Sequence, residues 1–285
     1  MDDTCKVYDC KDAPVFHKNI SKTYSSDDTP MHVQYDRGNY VDGVHSFDSV
    51  TFGGVSLKSQ TFILVNQSQG NFEVKSIFGL SSKVLAESGT PPFYTAVAEK
   101  VVDKPILTIF LEKNVDDTFG GEITLGDYDT KNCGPIYTTT KSVGTDWLIN
   151  VTGASFDGVQ IAWKGSFALI DTRTPFVILP FNISDIYDKI NQTVELTPKH
   201  DYHYAIYNLN CAHADKIPDL AITIDGFDHI IRGYQLAIPN EDSKGTCFLA
   251  LVHVPEYTNL GDPFIRDRCV SQNIKTMEVS FAGRK

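Results

Sequence analysis

The sequence Ala168-Leu169-Ile170-Asp171-Thr172-Arg173-Thr174 places an acidic residue directly after a short apolar run. Two threonines follow the aspartate within three positions, so the segment is typical of a strand that runs into a polar loop. The carboxylate is either a functional group or a solvated residue at a strand end, since turns of the second kind are common. The rest of the sequence decides between these two interpretations.

Most apolar runs in the chain are equally short, rich in β-branched or aromatic residues, and closed by Gly, Asp, Asn or Pro. They are residues 50–52, 61–65, 106–111, 123–125, 147–151, 168–171, 220–224 and 278–281. Two segments favour helices, 92–102 after a double proline and 182–190, where Ser184 is the expected cap. The pattern predicts an all-β protein with a few short helices.

A second segment, Leu260-Gly261-Asp262-Pro263-Phe264-Ile265-Arg266, stands downstream of the first. Together with Asp171-Thr172 it resembles the paired apolar-Gly and Asp-Thr-Gly segments of pepsin-like aspartic peptidases, family A1. In the first half, Val33-Gln34-Tyr35-Asp36-Arg37-Gly38 resembles the flap hairpin of that family. Further motifs follow in the order that the family uses, at residues 50–54, 60–62, 77–80 and 120–126.

The resemblance extends from Cys5 to Ala282 and implies a bilobal pepsin-like fold. It places a partial N-terminal lobe with the flap at residues 1–133 and a C-terminal lobe at 134–285. On this numbering, the first lobe lacks the N-terminal strands of the family. The resemblance also favours a monomer.

The resemblance implies that Asp171 is the catalytic-type aspartate of the second lobe, supported by Thr172 and Thr174. Arg173 occupies the position of the motif glycine, which lets substrate backbone pass close to the loop. A guanidinium near Asp171 would favour the ionised carboxylate and oppose proton sharing, whereas an Arg173 side chain that points to solvent would not. Both arrangements are compatible with the sequence.

Peptide cleavage in this family needs two carboxylates that share one proton, so that one activates a water and the other polarises the carbonyl. The family's first Asp-Thr-Gly would lie before Met1 on this numbering, and the printed sequence contains no Asp-Thr-Gly or Asp-Ser-Gly. We therefore expect an inactive homologue, a pseudopeptidase that binds peptide or unfolded protein in the cleft between the lobes, with Tyr35 and Gly38 of the flap as substrate-binding residues. The alternative is an active aspartic endopeptidase that hydrolyses peptide bonds at acid pH, of which this chain is a truncated part.

The six cysteines form no CxxC motif and no HExxH occurs, so disulfides are the default interpretation and neither a metal nor a cofactor is expected. The family resemblance implies the bridges Cys5–Cys10 and Cys211–Cys247. Cys133 and Cys269 remain, and their pairing would tie the hinge between the lobes to the second lobe.

Five N-x-S/T sequons fit passage through an oxidising secretory pathway, and they begin at Asn19, Asn66, Asn150, Asn182 and Asn191. We expect a glycoprotein that is secreted or lies in the endo-lysosomal lumen, although the chain as given begins without a signal peptide. The net charge of -11, without a basic block, argues against nucleic acid and anionic membrane surfaces. No run reaches the length of a membrane-spanning helix, which argues against membrane insertion.

Overall fold

The computed structural model describes residues 15–35, 39–70, 76–83, 86, 89–112, 120–144, 146–163, 165, 167–199, 205–240, 242–255 and 257–285. The predicted bridge Cys5–Cys10 and the flap residue Gly38 lie outside these ranges.

The chain divides into two compact units, Met1–Pro105 and Ile106–Lys285. The division comes earlier than the predicted lobe boundary at residues 133 and 134, because the strand that follows Pro105 pairs with a strand close to the end of the chain. A strand can belong to one lobe by sequence and to a sheet of the other by pairing. The assignment of the lobes therefore stays a prediction.

The first unit contains one antiparallel sheet of three long strands, β1 (Ser25–Gln34), β2 (Tyr40–Phe52) and β3 (Val55–Gln69), in the order β1-β2-β3. Gly53 and Gly54 connect β2 to β3 with φ angles of 52° and 79°. These angles lie in the left-handed region that glycine adopts without steric cost, so the glycine pair allows the tight turn.

The described residues form the α-helices α1 (Pro92–Ala98), α2 (Ser184–Asn191) and α3 (Asp262–Ile265), and the 3-10 helices Cys211–Lys216 and Gly233–Leu236. Helix α1 begins at the proline where a helix was expected, and it ends before residue 102 because Lys100 takes a left-handed φ of 58°. The predicted capping role of Ser184 is wrong. Ser184 is the first residue of α2, and Ile183 occupies the cap position without a side-chain hydrogen bond.

The second unit carries the remaining strands. In chain order they are β4 (Ile106–Leu111), β5 (Gly121–Leu125), β6 (Cys133–Lys141), β7 (Leu148–Phe156), β8 (Val159–Ile161), β9 (Phe167–Ile170), β10 (Val177–Leu179), β11 (Thr197–Lys199), β12 (Ile206–Asn210), β13 (Leu220–Ile224), β14 (Phe227–Ile231), β15 (Ala237–Pro239), β16 (Thr246–Leu249), β17 (Leu251–His253), β18 (Asn259–Leu260), β19 (Arg268–Asn273) and β20 (Glu278–Arg284).

One sheet of the second unit is antiparallel and has the order β5-β4-β19-β20-β6. Strand β19 is polar in places, but its buried Ser271 lies opposite the buried Thr108 of β4, and their hydroxyl oxygens are 2.8 Å apart. This hydrogen bond satisfies two buried polar groups. The disulfide Cys133–Cys269 links β6 to β19 with its Cα atoms 6.0 Å apart, which confirms the predicted pair.

A larger sheet has the order β14-β13-β7-β9-β18-β10-β17, with β8 paired to β7 at its side. A third sheet has the order β11-β12-β16-β15, and a disulfide links Cys247 of β16 to Cys211, which directly follows β12, with Cα atoms 5.1 Å apart. That pair is also confirmed. The mostly β architecture with a few short helices agrees with the prediction from the sequence.

No helix in the described ranges combines the length and the apolar character that crossing a bilayer requires.

Candidate functional site

Strand β18 lies between β9 and β10 in the larger sheet, and it is parallel to β9. Ile170 at the end of β9 is paired with Leu260 at the end of β18, so the two segments that the family resemblance selected leave the sheet side by side. The N–H of Asp171 donates to the carbonyl of Leu260 at 3.3 Å, and the N–H of Gly261 donates to the carbonyl of Phe176 at 3.2 Å. The chain thus crosses itself at the candidate site.

The carboxylate of Asp171 is half-buried and accepts hydrogen bonds on both oxygens. Oδ1 accepts from the backbone N–H of Arg173 at 2.8 Å. Oδ2 accepts from the hydroxyl of Thr174 at 2.6 Å and from the side-chain amide of Asn259 at 3.1 Å. These donors orient the carboxylate at the end of β9.

Asn259 is completely buried in β18 and has no counterpart among the residues predicted for the site. Its Nδ2 lies within hydrogen-bond distance of Asp171 Oδ2, of Thr174 Oγ1 at 3.2 Å and of the hydroxyl of Tyr257 at 3.0 Å. An amide at this position therefore joins both crossing segments. The signal in the sequence is the amide side chain of Asn259 next to Leu260, because the residues of a buried strand are ordinarily apolar.

Thr172 and Arg173 are both exposed. Thr172 forms no hydrogen bond within 3.5 Å to Asp171, so no such contact supports its predicted role. Thr174 does form a hydrogen bond to Asp171, as its predicted role requires. The guanidinium of Arg173 forms no ion pair within 4.0 Å to Asp171, so the direct contact that would favour the ionised carboxylate is not seen. Arg173 also has a negative φ, so the backbone at this position does not require glycine.

A second carboxyl group, that of Asp262, lies close enough for the charge of Asp171 to act on it. Burial raises the pKa of Asp262, and the partly buried Arg266, which donates to its Oδ2 at 3.2 Å, lowers it. Asp262 Oδ1 is buried without a hydrogen-bond partner. No hydrogen bond within 3.5 Å joins the side chains of Asp171 and Asp262, so these two carboxyls do not share a proton directly.

The predicted flap lies in the first unit. Strands β1 and β2 form an antiparallel hairpin in which Gln34 is paired with Tyr40. Tyr35 is half-buried at the start of the connecting loop, and its N–H donates to the carbonyl of Asn39 at 2.7 Å. The hairpin is present where it was predicted, and the role of Tyr35 and Gly38 in binding substrate stays a prediction.

Comparison of the sequence with known proteins shows the family of the chain. A family model described as "Eukaryotic aspartyl protease" matches residues 1–284. Aspartic protease 1 of Caenorhabditis elegans is 27% identical over 99% of the chain and 74% of its own length. Pepsin A of Sus scrofa is 27% identical over 92% of the chain and 68% of its own length.

A fungal relative, the probable vacuolar protease A of Trichophyton verrucosum, is 25% identical over 92% of the chain and 66% of its own length. The chain thus spans two thirds to three quarters of these relatives. The match covers both compact units and includes the crossing at Asp171 and Gly261. The chain belongs to the eukaryotic aspartyl proteases, the family of pepsin-like aspartic peptidases.

Proposed function

We propose that residues 1–285 bind extended peptides at the Asp171 loop without cleaving them. The observation that carries the proposal is the environment of Asp171, which is oriented by three donors but has no second carboxyl within hydrogen-bond distance among the described residues. Asp262, the neighbouring carboxyl, is paired with Arg266 at 3.2 Å and forms no hydrogen bond with the side chain of Asp171. Peptide hydrolysis by this family requires the shared proton that this arrangement lacks.

Peptide binding does not require two carboxyl groups that share a proton, whereas peptide hydrolysis by this family does. Members of this family bind peptide substrates. An extended peptide gains affinity from strand-like pairing with backbone groups, and a carboxylate at a strand end can accept a hydrogen bond from a bound hydroxyl or N–H group. Asp171 is only partly buried, which leaves room for such a contact at the loop.

The alternative is that the chain is part of a longer active endopeptidase, in which Asp171 supplies one of the two carboxylates. The hydrogen bond between Thr174 and Asp171 favours this alternative, because the loop has kept the side-chain support of a catalytic-type aspartate. Cleavage would then depend on a second aspartate outside residues 1–285.

Binding of a transition-state peptide inhibitor of aspartic peptidases tests the proposal. We expect Asp171→Asn to weaken the binding of this inhibitor about tenfold, since a hydrogen bond to a charged acceptor becomes one to a neutral amide. Isothermal titration calorimetry of both proteins measures the difference.

Asp185→Asn is the matched control, because Asp185 is an exposed acidic residue in the first turn of α2, away from the loop. It should bind the inhibitor as the unchanged chain does. If the unchanged chain does not bind the inhibitor at all, or if Asp171→Asn binds it equally well, the proposed peptide site is wrong.

We also propose that the chain works in a secretory or endo-lysosomal compartment. Two disulfides support this location, since such bridges persist in oxidising compartments. Four of the five sequon asparagines are exposed, namely Asn19, Asn66, Asn182 and Asn191. Asn150 is half-buried in β7, where it is paired with Phe167 of β9.

Expression behind a secretion signal in eukaryotic cells checks the location. We expect enzymatic removal of N-glycans to lower the mass of the secreted chain, because the exposed sequons accept glycans without disturbing the fold. Asn182→Gln should lower the glycan mass, whereas Asn150→Gln should leave it unchanged. A secreted chain whose mass does not respond to the glycosidase would contradict the assignment.

A further inference from the structure

A cavity of about 290 Å³ lies within the second unit, and Asp171 does not line it. It is formed where β6, β14, the 3-10 helix Gly233–Leu236 and the start of β19 meet. Its lining includes Tyr137, His229, Arg232, Tyr234, Arg266 and Arg268. Asp171 and its hydrogen-bond donors are not part of this lining, although Arg266 of the lining is paired with Asp262, the neighbour of Asp171.

Arg268 is the central cation of the cavity. The residue is only 5% exposed, and its guanidinium lies 4.3 Å from the ring centre of Phe264. It donates to the carbonyl of Ile230 and lies 3.4 Å from Nδ1 of His229. In the part of the chain that the structure describes, no carboxylate lies within 4.0 Å of it. A buried arginine keeps its charge, and the charge of Asp267 acts on it without forming a direct ion pair.

Two buried donors on residues that line the cavity have no acceptor. Nε of Arg268 has no hydrogen-bond partner, and neither has Nε2 of His229, which is 1% exposed. Because the guanidinium can only donate, Nδ1 of His229 has to accept from it, and the neutral ring then carries its proton on Nε2. Both unpartnered atoms are therefore N–H groups, but neither is accessible to solvent, so a ligand in the cavity would compensate them through its charge and not by direct hydrogen bonds.

The other two arginines of the lining have carboxylate partners. Arg232 is paired with Asp219 at 2.6 Å, and Arg266 with Asp262 at 3.2 Å. Their charges are compensated within the protein. Arg268 is the arginine of the lining without a carboxylate partner within 4.0 Å.

Two aspartates also line the cavity, and both are engaged elsewhere. Asp228 accepts from the hydroxyl of Thr223 at 2.6 Å. Asp267 accepts from the hydroxyl of Tyr234 at 2.6 Å and lies 3.6 Å from the guanidinium of Arg284. A bound anion therefore meets carboxylates that already have donors of their own, and their presence favours an anion of low charge over a multiply charged one.

Aromatic rings form the rim of the cavity. Tyr137 and Phe227 are stacked with their ring centres 5.0 Å apart, and they are 40% and 41% exposed. Exposed aromatic rings beside a buried cation suit a ligand that has one negatively charged group and an apolar part.

We propose that this cavity binds the carboxylate of a small organic acid, with the carboxylate on the Arg268 side and the apolar body against Tyr137 and Phe227. The ligand is either a free carboxylic acid or the C-terminal carboxylate of a peptide, since both present the same chemistry.

Titration followed by NMR tests the site, with N-acetyl-phenylalanine as the free acid and a tetrapeptide that ends in phenylalanine as the peptide source. We expect at least one of the two to bind and to shift the side-chain resonances of Arg268 and His229, and the tighter of the two identifies the source. The matched neutral probe is N-acetyl-phenylalaninamide, which should bind at least about tenfold more weakly because it lacks the charge. Inorganic phosphate, without an apolar body, should also be about tenfold weaker.

Arg268→Met is the test by substitution, because it removes the buried charge and fills a similar space with an apolar chain. It should weaken binding of the better acid at least about tenfold, whereas Lys275→Gln, at an exposed lysine outside the lining, should not. If Arg268→Met does not fold, the comparison of acid and amide on the unchanged chain decides. Equal binding of acid and amide, phosphate binding as tight as the acid, or no shift at Arg268 would overturn the proposal.

Discussion

Replacement of Gly261 by alanine is expected to lower the free energy of unfolding of the second unit by about 3 kcal/mol or more. An added β-carbon would lie 2.0 Å from the carbonyl oxygen of Thr174 and 2.5 Å from that of Phe176, and backbone oxygens cannot rotate away. The two segments would have to separate, which breaks the hydrogen bond from Asp262 N–H to Thr174. Because Thr174 also supports Asp171, inhibitor binding should be lost together with stability.

The matched control is Gly283→Ala in β20, where an added β-carbon meets no atom within 4 Å. We expect the stability of this variant to stay within about 0.5 kcal/mol of the unchanged chain. Both tryptophans, Trp147 and Trp163, lie in the second unit, so urea unfolding followed by tryptophan fluorescence reports on that unit. A Gly261→Ala variant with the unfolding midpoint of the unchanged chain would contradict the close crossing of the two segments.

Acidification from about pH 7 to about pH 4.5 should remove about 2.5 kcal/mol of stability from the second unit through His229 alone. Burial, and then the charge of Arg268, lower the pKa of His229 from 6.5 to about 3. The folded chain therefore binds fewer protons than the unfolded chain. The stability that His229 contributes is complete above its unfolded pKa and is lost as the pH falls towards its folded pKa. The raised pKa of Asp262 acts with the opposite sign and offsets part of this loss.

The variant His229→Phe isolates the contribution of the imidazole. A phenyl ring suits the site, because Phe264 and Phe281 already pack against His229 with ring centres 5.8 Å and 4.5 Å away. We expect the variant to lose less stability on acidification than the unchanged chain, whatever its stability at neutral pH. The control is His213→Phe, at a half-exposed position, which should keep the original dependence on pH. An unchanged dependence in His229→Phe would show that the neutral buried histidine does not cause the acid sensitivity.

Much of the fold could be predicted from local patterns. The run at 220–224 coincides with β13, because β-branched residues between turn residues favour a strand wherever the sheet lies. The proximity of Asp171 to Gly261 could not be read from such runs. It came from the resemblance to a family, since the two segments are distant in sequence and only the topology brings β9 and β18 together.

The unpredicted parts depend on tertiary packing. Asn259 lies in a buried strand, where its partners are supplied by segments that the sequence does not place next to it. The exposure of Arg173 depends on the path of the loop, and its residue type left both orientations open. The cavity at Arg268 joins Tyr137, β14 and the start of β19, which come together only in the folded sheets.

The central claim is that this chain binds peptides without cleaving them, and hydrolysis of an unfolded protein substrate at acid pH tests it most directly. The chain, Asp171→Asn and Arg173→Gly are compared with and without a transition-state peptide inhibitor. We predict no inhibitor-sensitive fragments from any of the three proteins, because restoring glycine at position 173 does not supply a second carboxylate. Fragments that the inhibitor suppresses and that Asp171→Asn abolishes would contradict the claim.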